Sequence, residues 1–475
     1  MQEKKLGLFS VIATGVGLVV STSCLISLCG GASEVGTMFG ISILVACGLN
    51  MLTAASLAEL NALMPNMTGG LAQYTMAGLG YFATMVSMVG GYLICNSLAA
   101  PAEGAMFGLV MKELLGVDIP SQVFAIALTL ILVVVNLRGI DMFAKVQNVI
   151  AFSLIGSFLL LGVCGALGIS TGTQVVQPAT TASPLEGVAM AATAFWLFIG
   201  VEFVIPISSE VKNPRKNVPL GMFLSLAVIA VIQIFMVFGL KNYVLWGDLA
   251  AADSPHMLYG VNLFGRIGQI WIGMISILAA VSTQNSVLNG LSHICQGMAK
   301  ANMMPSFFGK TNKYGTPVAG VLLMGIVFLI IEGSGLASSD AISFLLLTAS
   351  VFWMVSYVIT HINVMVLRVR LPKAPRTFKL PFGPLLPIIG IAGDIYMIIH
   401  ISNDPAQRLR IWLIVGVIFA VLAIYSFFWI RYKMKKPLFK PVPPHEVLAM
   451  EHPLYNITHR RVIVKKTERK GQLSA

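Results

Sequence analysis

Charge is what this chain has least of: of its 475 residues only 11% are Asp, Glu, Lys or Arg, while 57% are apolar. An ordinary soluble domain carries roughly twice that charged share, so the apolar surface is too large for one water-facing fold. That excludes a soluble enzyme. A net charge of +12 would suggest a nucleic-acid partner, but the bases are grouped in short loops beside apolar runs, as in a membrane protein. Cysteine is also sparse. All six, Cys24, Cys29, Cys47, Cys95, Cys164 and Cys295, fall inside apolar runs, which excludes a secreted disulfide scaffold and reads them as small apolar residues. Neither a Walker A motif, a catalytic triad nor a metal-ligand cluster is present, so ATP-driven pumping, enzymatic chemistry, a metal and a cofactor are not expected.

What remains is hydrophobic. Uncharged runs cover residues 6–33, 119–137, 146–185, 217–240, 267–299, 314–331, 341–367 and 411–430, and most reach the ~20 residues that cross a hydrocarbon core as helix. The chain reads as an all-α integral membrane protein with twelve spans at roughly 8–30, 38–63, 80–110, 121–138, 144–168, 187–207, 218–240, 267–298, 318–334, 341–367, 385–402 and 411–431. All Lys and Arg then lie on the side of the N-terminus except Lys112, Lys241, Arg266, Arg408 and Arg410, which makes that side cytoplasmic. Both termini are expected there, in a plasma membrane of bacterial inner-membrane type, without a cleavable signal peptide. The sequons at Asn66 and Asn456 fall on the same face. Residues 1–432 form one domain, with repeat one at about 8–168, repeat two at about 187–367 and extra helices at about 385–431. A basic cytoplasmic tail follows at 433–475.

Two spans carry features that interrupt a helix. In the sixth, Gly200 and Glu202 stand at the centre of an apolar run with Pro206 one turn on. A glycine weakens a helix, a proline removes a donor, and a carboxyl group in lipid needs water or a partner. In the first, Ser21, Thr22 and Ser23 place three hydroxyls mid-run. Discontinuous first and sixth helices at mid-membrane are a recurrent device of secondary transporters.

Several motifs resemble the amino acid/polyamine/organocation superfamily of transporters over residues 6–431. These are Ser56-Leu57-Ala58-Glu59-Leu60 with Pro65, Thr68-Gly69-Gly70 and Tyr74; Asn136 and Gly139 with Lys145-Val146-Gln147-Asn148; and Trp196 to Glu202 with Glu210-Val211-Lys212-Asn213-Pro214 and Pro219. Ala299 to Pro305, Asn312 with Gly315-Thr316-Pro317, and Arg376-Thr377-Phe378-Lys379-Leu380-Pro381 complete the set. The sixth-span motif is most similar to the arginine/agmatine exchangers. The resemblance implies a leucine-transporter-type fold of five plus five inverted spans and a central site between spans one, three, six, eight and ten. There a half-helix N-terminus would bind a substrate carboxylate and opposing carbonyls an ammonium. Where the family carries Gly-Ser-Gly, this chain has Ser21-Thr22-Ser23, which narrows backbone approach and offers hydroxyl donors instead.

The expected substrate-binding residues are Ser21, Thr22, Ser23, Asn96, Trp196, Gly200, Asn285, Trp353 and Ser356. By the resemblance Trp196 is an aromatic gate over the substrate; packing on a neighbouring helix is the alternative. Glu202 and Glu103 are expected in proton coupling or gating; for Glu202 the alternative is a neutral carboxyl bonded to freed backbone, and for Glu103, whose natural partner is a cationic substrate group or a proton, it is a helix-to-helix hydrogen bond. Asn96 and Glu103, seven apart, share one helical face. Ser282, Asn285, Asn289, Ser292, His293 and Gln296 form a polar stripe that reads as lining the path, with interhelical bonding as the alternative. For Trp353, Ser356 and Tyr357, gate and core packing are equally open. Glu59 and Glu210 are expected to stabilise inner loops, and Asp394 reads as structural. The tail reads as a solvated segment attracted to anionic lipid, although His445, His452 and His459 at seven-residue steps leave a pH-sensitive lid open. Together these features point to a secondary transporter of amino acids or related amines, a monomer or homodimer in lipid, acting by exchange or coupled to protons. A non-transporting sensor on the same fold is the rival.

Overall fold

The computed structural model describes residues 6–19, 21–64, 71–139, 147–178, 182–205, 211–335 and 339–450. Pro65, Asn66, the Thr68-Gly69-Gly70 triplet, Lys145, Val146, Pro206, Glu210, His452, Asn456 and His459 lie outside the described residues. The described chain is helical, with an isolated bridge between Leu6 and Val211.

The first span is two helices, α1 (Leu8–Val19) and α2 (Thr22–Val35), and α3 (Phe39–Leu63) returns. Next come α4 (Leu71–Leu79), α5 (Tyr81–Ser87), a π-helical segment Met88–Ile94 and α6 (Cys95–Leu115). Then follow α7 (Ser121–Leu137) and α8 (Gln147–Leu167). The sixth span breaks into α9 (Pro184–Ala189), α10 (Ala191–Phe195) and two 3-10 turns, Trp196–Phe198 and Val201–Val204. The rest is α11 (Pro214–Tyr243), α12 (Trp246–Ala251), α13 (Pro255–Lys300), α14 (Val318–Gly333), α15 (Ser339–Arg370), α16 (Leu385–Ile399), α17 (Pro405–Phe428) and α18 (Pro444–Met450). Among the described residues six helical stretches are long and apolar enough to cross a membrane, and six shorter apolar helices accompany them.

Local chemistry accounts for the interruptions. Ser21 is extended (φ −129°, ψ 170°), a conformation any residue adopts, so the break needs no glycine. Gly200 has φ +114°, a region that side-chain-bearing residues avoid. Within α13, Phe264 and Gly265 (φ +60°) form a kink, so the helix has a capping limb and a spanning limb. The span expected from residue 267 is that second limb. Residues 64–79, expected as a loop, include α4, because Tyr74, Met76 and Ala77 bury an apolar side against the bundle.

Close packing relies on small residues. A Cβ on Gly165 would lie 2.8 Å from the Gly239 Cα, and the Tyr259 hydroxyl sits where either glycine would carry a side chain. That hydroxyl donates to the Leu161 carbonyl at 2.7 Å, joining the capping limb of α13 to α8 and α11. Such glycine contacts let membrane helices approach closely.

The face bearing the N-terminus is tied together by the loop motifs. Buried Glu59 accepts from Arg368 Nε at 2.8 Å and from the Leu380 amide at 2.8 Å, and Arg376 Nε lies 3.4 Å away. Asn312 Oδ1 accepts from the Tyr314 and Thr316 amides while its Nδ2 donates to the Leu137 carbonyl. The six cysteines are free thiols. The described part of the tail is docked: the Phe82 amide donates to the Leu438 carbonyl, the Val442 amide to the Met76 carbonyl, and Val447 is buried.

Removing one partner from a buried ionic cluster leaves the others unpaired. Glu59→Ala is therefore expected to destabilise the detergent-solubilised protein by about 3 kcal/mol. Exposed Lys379→Ala should stay within about 0.5 kcal/mol of the parent, both read by thermal unfolding.

Candidate functional site

The two breaks meet. Ser23, in the first turn of α2, is the junction: its amide donates to Glu103 Oε1 at 3.0 Å, and its hydroxyl accepts from the Trp196 indole at 2.9 Å and lies 2.9 Å from the Ser21 hydroxyl. Cys24 Sγ contacts the Trp196 carbonyl at 3.8 Å. Trp196 thus links the unwound turn of the sixth span to the start of α2. A helix that stops mid-span strands backbone donors and acceptors, and here hydroxyl, indole and carboxyl groups take them up.

Glu202 holds the other break. Its Oε2 accepts from the Gly200 amide at 3.2 Å and from the Tyr357 hydroxyl at 2.9 Å, and its Oε1 accepts from the Trp353 indole at 2.7 Å. The unwound turn is thereby fastened to α15.

Beside both breaks lies a cavity of about 240 Å³. It is smaller than the roughly 300–1,000 Å³ of drug-sized sites, so it has room for one small molecule. Ser21, Ser23, Asn96, Glu103, Trp196, Gly200 and Trp353 line it. Asn96 and Glu103 reach it from one face of α6. Aromatic rings form part of the wall: Tyr92 lies 5.3 Å from Trp353 and 5.9 Å from Phe203, and Phe203 lies 6.1 Å from Trp353, centroid to centroid.

Glu202 and three of the expected substrate-binding residues lie off this lining. Thr22 donates to the Ser276 carbonyl at 3.0 Å, tying α2 to α13. Ser356 donates to the Ser87 and Phe352 carbonyls, packed where a side chain on Gly91 would collide. Asn285 accepts from Asn136 Nδ2 at 2.8 Å, between α13 and α7. On α13 the cavity meets Ser282 of the expected polar stripe together with Thr283, Ser286, Val287, Gly290 and Ile294, a helical face rotated from the rest of that stripe. Small side chains leave room there, while the amide of Asn285 is spent on a neighbouring helix.

The sequence reading passed over Tyr92, Phe203 and Glu332. Tyr92 follows Gly90-Gly91 in the π-helical segment, a distortion frequent at functional sites. Glu332 ends α14 and is buried, accepting from Thr129 at 2.9 Å and from Gln284 Nε2 at 3.0 Å. Asp394 lies 3.9 Å from His361 Nε2, whose ring also contacts Thr53 and Ser56. Among the described residues no group of three or more His, Cys, Asp or Glu could hold a metal ion.

A family model described as amino acid permease matches residues 6–433. The chain belongs to the amino acid permease family. Relatives include the branched-chain amino acid permease BcaP of Bacillus subtilis, 24% identical with 89% of this chain and 93% of that one covered. The methylthioribose transporter of the same organism is 25% identical (89% and 91% covered), and its serine/threonine exchanger SteT 24% (82% and 86%). Among solved structures, the Eremococcus coleocola manganese transporter bound to an aromatic bis-isothiourea compound superposes with a TM-score of 0.53 at 15% identity, over 90% of this chain and 93% of that one. That likeness shows a shared transporter fold. The protein is an integral membrane permease of this family.

The lining runs from the breaks along α1 at Gly17 and along α13 at Gly290 and Ile294, toward the face of the N-terminus. Gly290 is exposed, and a Cβ there meets open space. Gly290→Cys should therefore be alkylated by a water-soluble thiol reagent, while Asn285→Cys stays protected, as read by mass shift of the corresponding peptide.

Proposed function

We propose that this permease moves an amino acid or a related amine across the plasma membrane by alternating access, as an exchanger or coupled to protons. One observation carries the reading: two unwound helix breaks, cross-linked at Ser23 and Trp196, border a cavity sized for one small molecule. In hydrocarbon, irregular backbone is tolerated where protein or a wet cavity satisfies it, and such breaks place a substrate site at the bilayer centre. The relatives named for amino acid permease and serine/threonine exchange support the substrate class. The likeness of Trp196 to Glu202 to the arginine/agmatine exchangers favours antiport.

In this reading the twelve spans form two inverted repeats of five with two further helices, and α1–α2 and the sixth span, from α9 through the Val201–Val204 turn, are their discontinuous first helices. Both termini face the cytoplasm of a bacterial cell. Ser21, Ser23, Asn96, Trp196, Gly200 and Trp353 contact the substrate, and Thr22, Asn285 and Ser356 support them through neighbouring helices. Glu202 is the gating carboxyl: a proton on it removes acceptor capacity from a group that serves three donors, loosening the unwound turn from α15. Glu103 meets the substrate directly.

Counterflow in proteoliposomes, screened over the twenty amino acids and common amines, tests transport. Accelerated uptake of one solute by its presence on the opposite side is the expected result. Binding with no counterflow and no gradient-driven uptake would favour the sensor and refute transport. Glu202→Gln is expected to flatten the pH profile of transport, whereas an unaltered profile removes Glu202 from that role.

A further inference from the structure

The positions where a substrate carboxylate would dock are already taken by the chain's own carboxyl groups. The start of α2 is a 14-residue helix N-terminus facing the cavity, a place that attracts anions through free amides and the helix dipole. Its Ser23 amide is engaged by Glu103. The corresponding amide of the sixth-span break, on Gly200, is engaged by Glu202. A zwitterionic amino acid would bring a second carboxylate against one or the other, and like charges so close repel.

The charge balance of the cavity points the same way. Among the described residues lining it, Glu103 is the only Asp, Glu, Lys, Arg or His. Its Oε1 serves Ser23, while its Oε2 is buried with no hydrogen-bond partner, and a buried carboxyl oxygen left so is costly. Glu202 has both oxygens occupied by Gly200, Trp353 and Tyr357. One carboxyl oxygen is thus free for one cationic donor. Elsewhere on the lining of the same cavity, Tyr92, Phe203, Trp353 and Trp196 present aromatic surface, which attracts an organic ammonium and packs an apolar body.

We infer that the cavity takes a monoamine without an α-carboxylate, an arylalkyl or alkyl ammonium whose nitrogen donates to Glu103 Oε2 while its apolar part lies against Tyr92, Phe203 and Trp353. Glu103 stands in for the substrate carboxylate at the α2 N-terminus. This assignment rests on the transport reading and narrows it. A diamine would bring a second ammonium with no free carboxyl to meet it, so the monoamine is preferred.

Matched ligands test the assignment on the full-length chain in proteoliposomes: phenethylamine, phenylalanine and putrescine, by tryptophan-fluorescence binding and by counterflow. Phenethylamine is expected to half-saturate at a concentration at least about tenfold below phenylalanine and putrescine, the scale of one charge-assisted contact. Glu103→Gln should weaken phenethylamine at least about tenfold while eluting as a monodisperse protein. Glu103→Ala, which frees the Ser23 amide, should shift preference toward phenylalanine. Phenylalanine carried as well as phenethylamine, or better, overturns the assignment and leaves transport standing. Phenethylamine bound with that preference but not carried upholds the assignment, and refutes transport only if the wider screen also finds no counterflow. If neither is bound, the assignment falls and transport is decided by the wider counterflow screen. The wild-type comparison decides the matter even where a variant does not fold.

Discussion

Hydrocarbon supplies no hydrogen bonds, so every backbone amide and carbonyl stranded by a mid-span break must find its partner inside the protein. The architecture around the cavity follows from that constraint. Ser23, Trp196, Glu103 and Glu202 exist in their arrangement because two helices stop where no water is guaranteed, and the groups that repair the breaks are also those that face the cavity. Structural repair and ligand recognition are one set of contacts. Disturbing either set changes the other.

Away from the cavity, polar groups cluster between helices. Glu332 with Thr129 and Gln284 knits α14, α7 and α13 behind α6, and Glu59 with Arg368 and Arg376 does the same at the N-terminal face. These clusters join the spanning helices that frame the breaks. A frame held by ionic and amide contacts keeps its register while the broken helices between are freer to rearrange, since only interrupted backbone can bend without rupturing a regular ladder.

Much of this was legible in the residues. The two breaks were readable from Ser21-Thr22-Ser23 and from Gly200 with Glu202, because small, polar and flexible residues have no other business in the centre of an apolar run. The shared face of Asn96 and Glu103 followed from helical periodicity alone. What could not be read was rotation about a helix axis when two faces are both partly polar. Asn285 and Ser286 are neighbours in sequence, yet one bonds to Asn136 and the other meets the cavity. The aromatic wall was hidden for a related reason: Tyr92, Phe203 and Trp353 come from three separate spans, and each ring alone is indistinguishable from ordinary packing. The helix at Leu71–Leu79 was missed because its apolar side is short and interrupted by polar residues.

The Tyr259 hydroxyl, wedged between Gly165 and Gly239 and bonded to Leu161, makes the two ends of the permeation route mechanically unequal. Lifting the capping limb of α13 would strand that phenol in an apolar seam, at a cost of roughly 1–3 kcal/mol. The α2 half-helix is held in another way, by the Thr22 hydroxyl on Ser276 and the Ser23 contacts with Glu103 and Trp196. Displacing one part therefore unseats a wedge from a glycine seam, and displacing the other exchanges one set of polar partners for another.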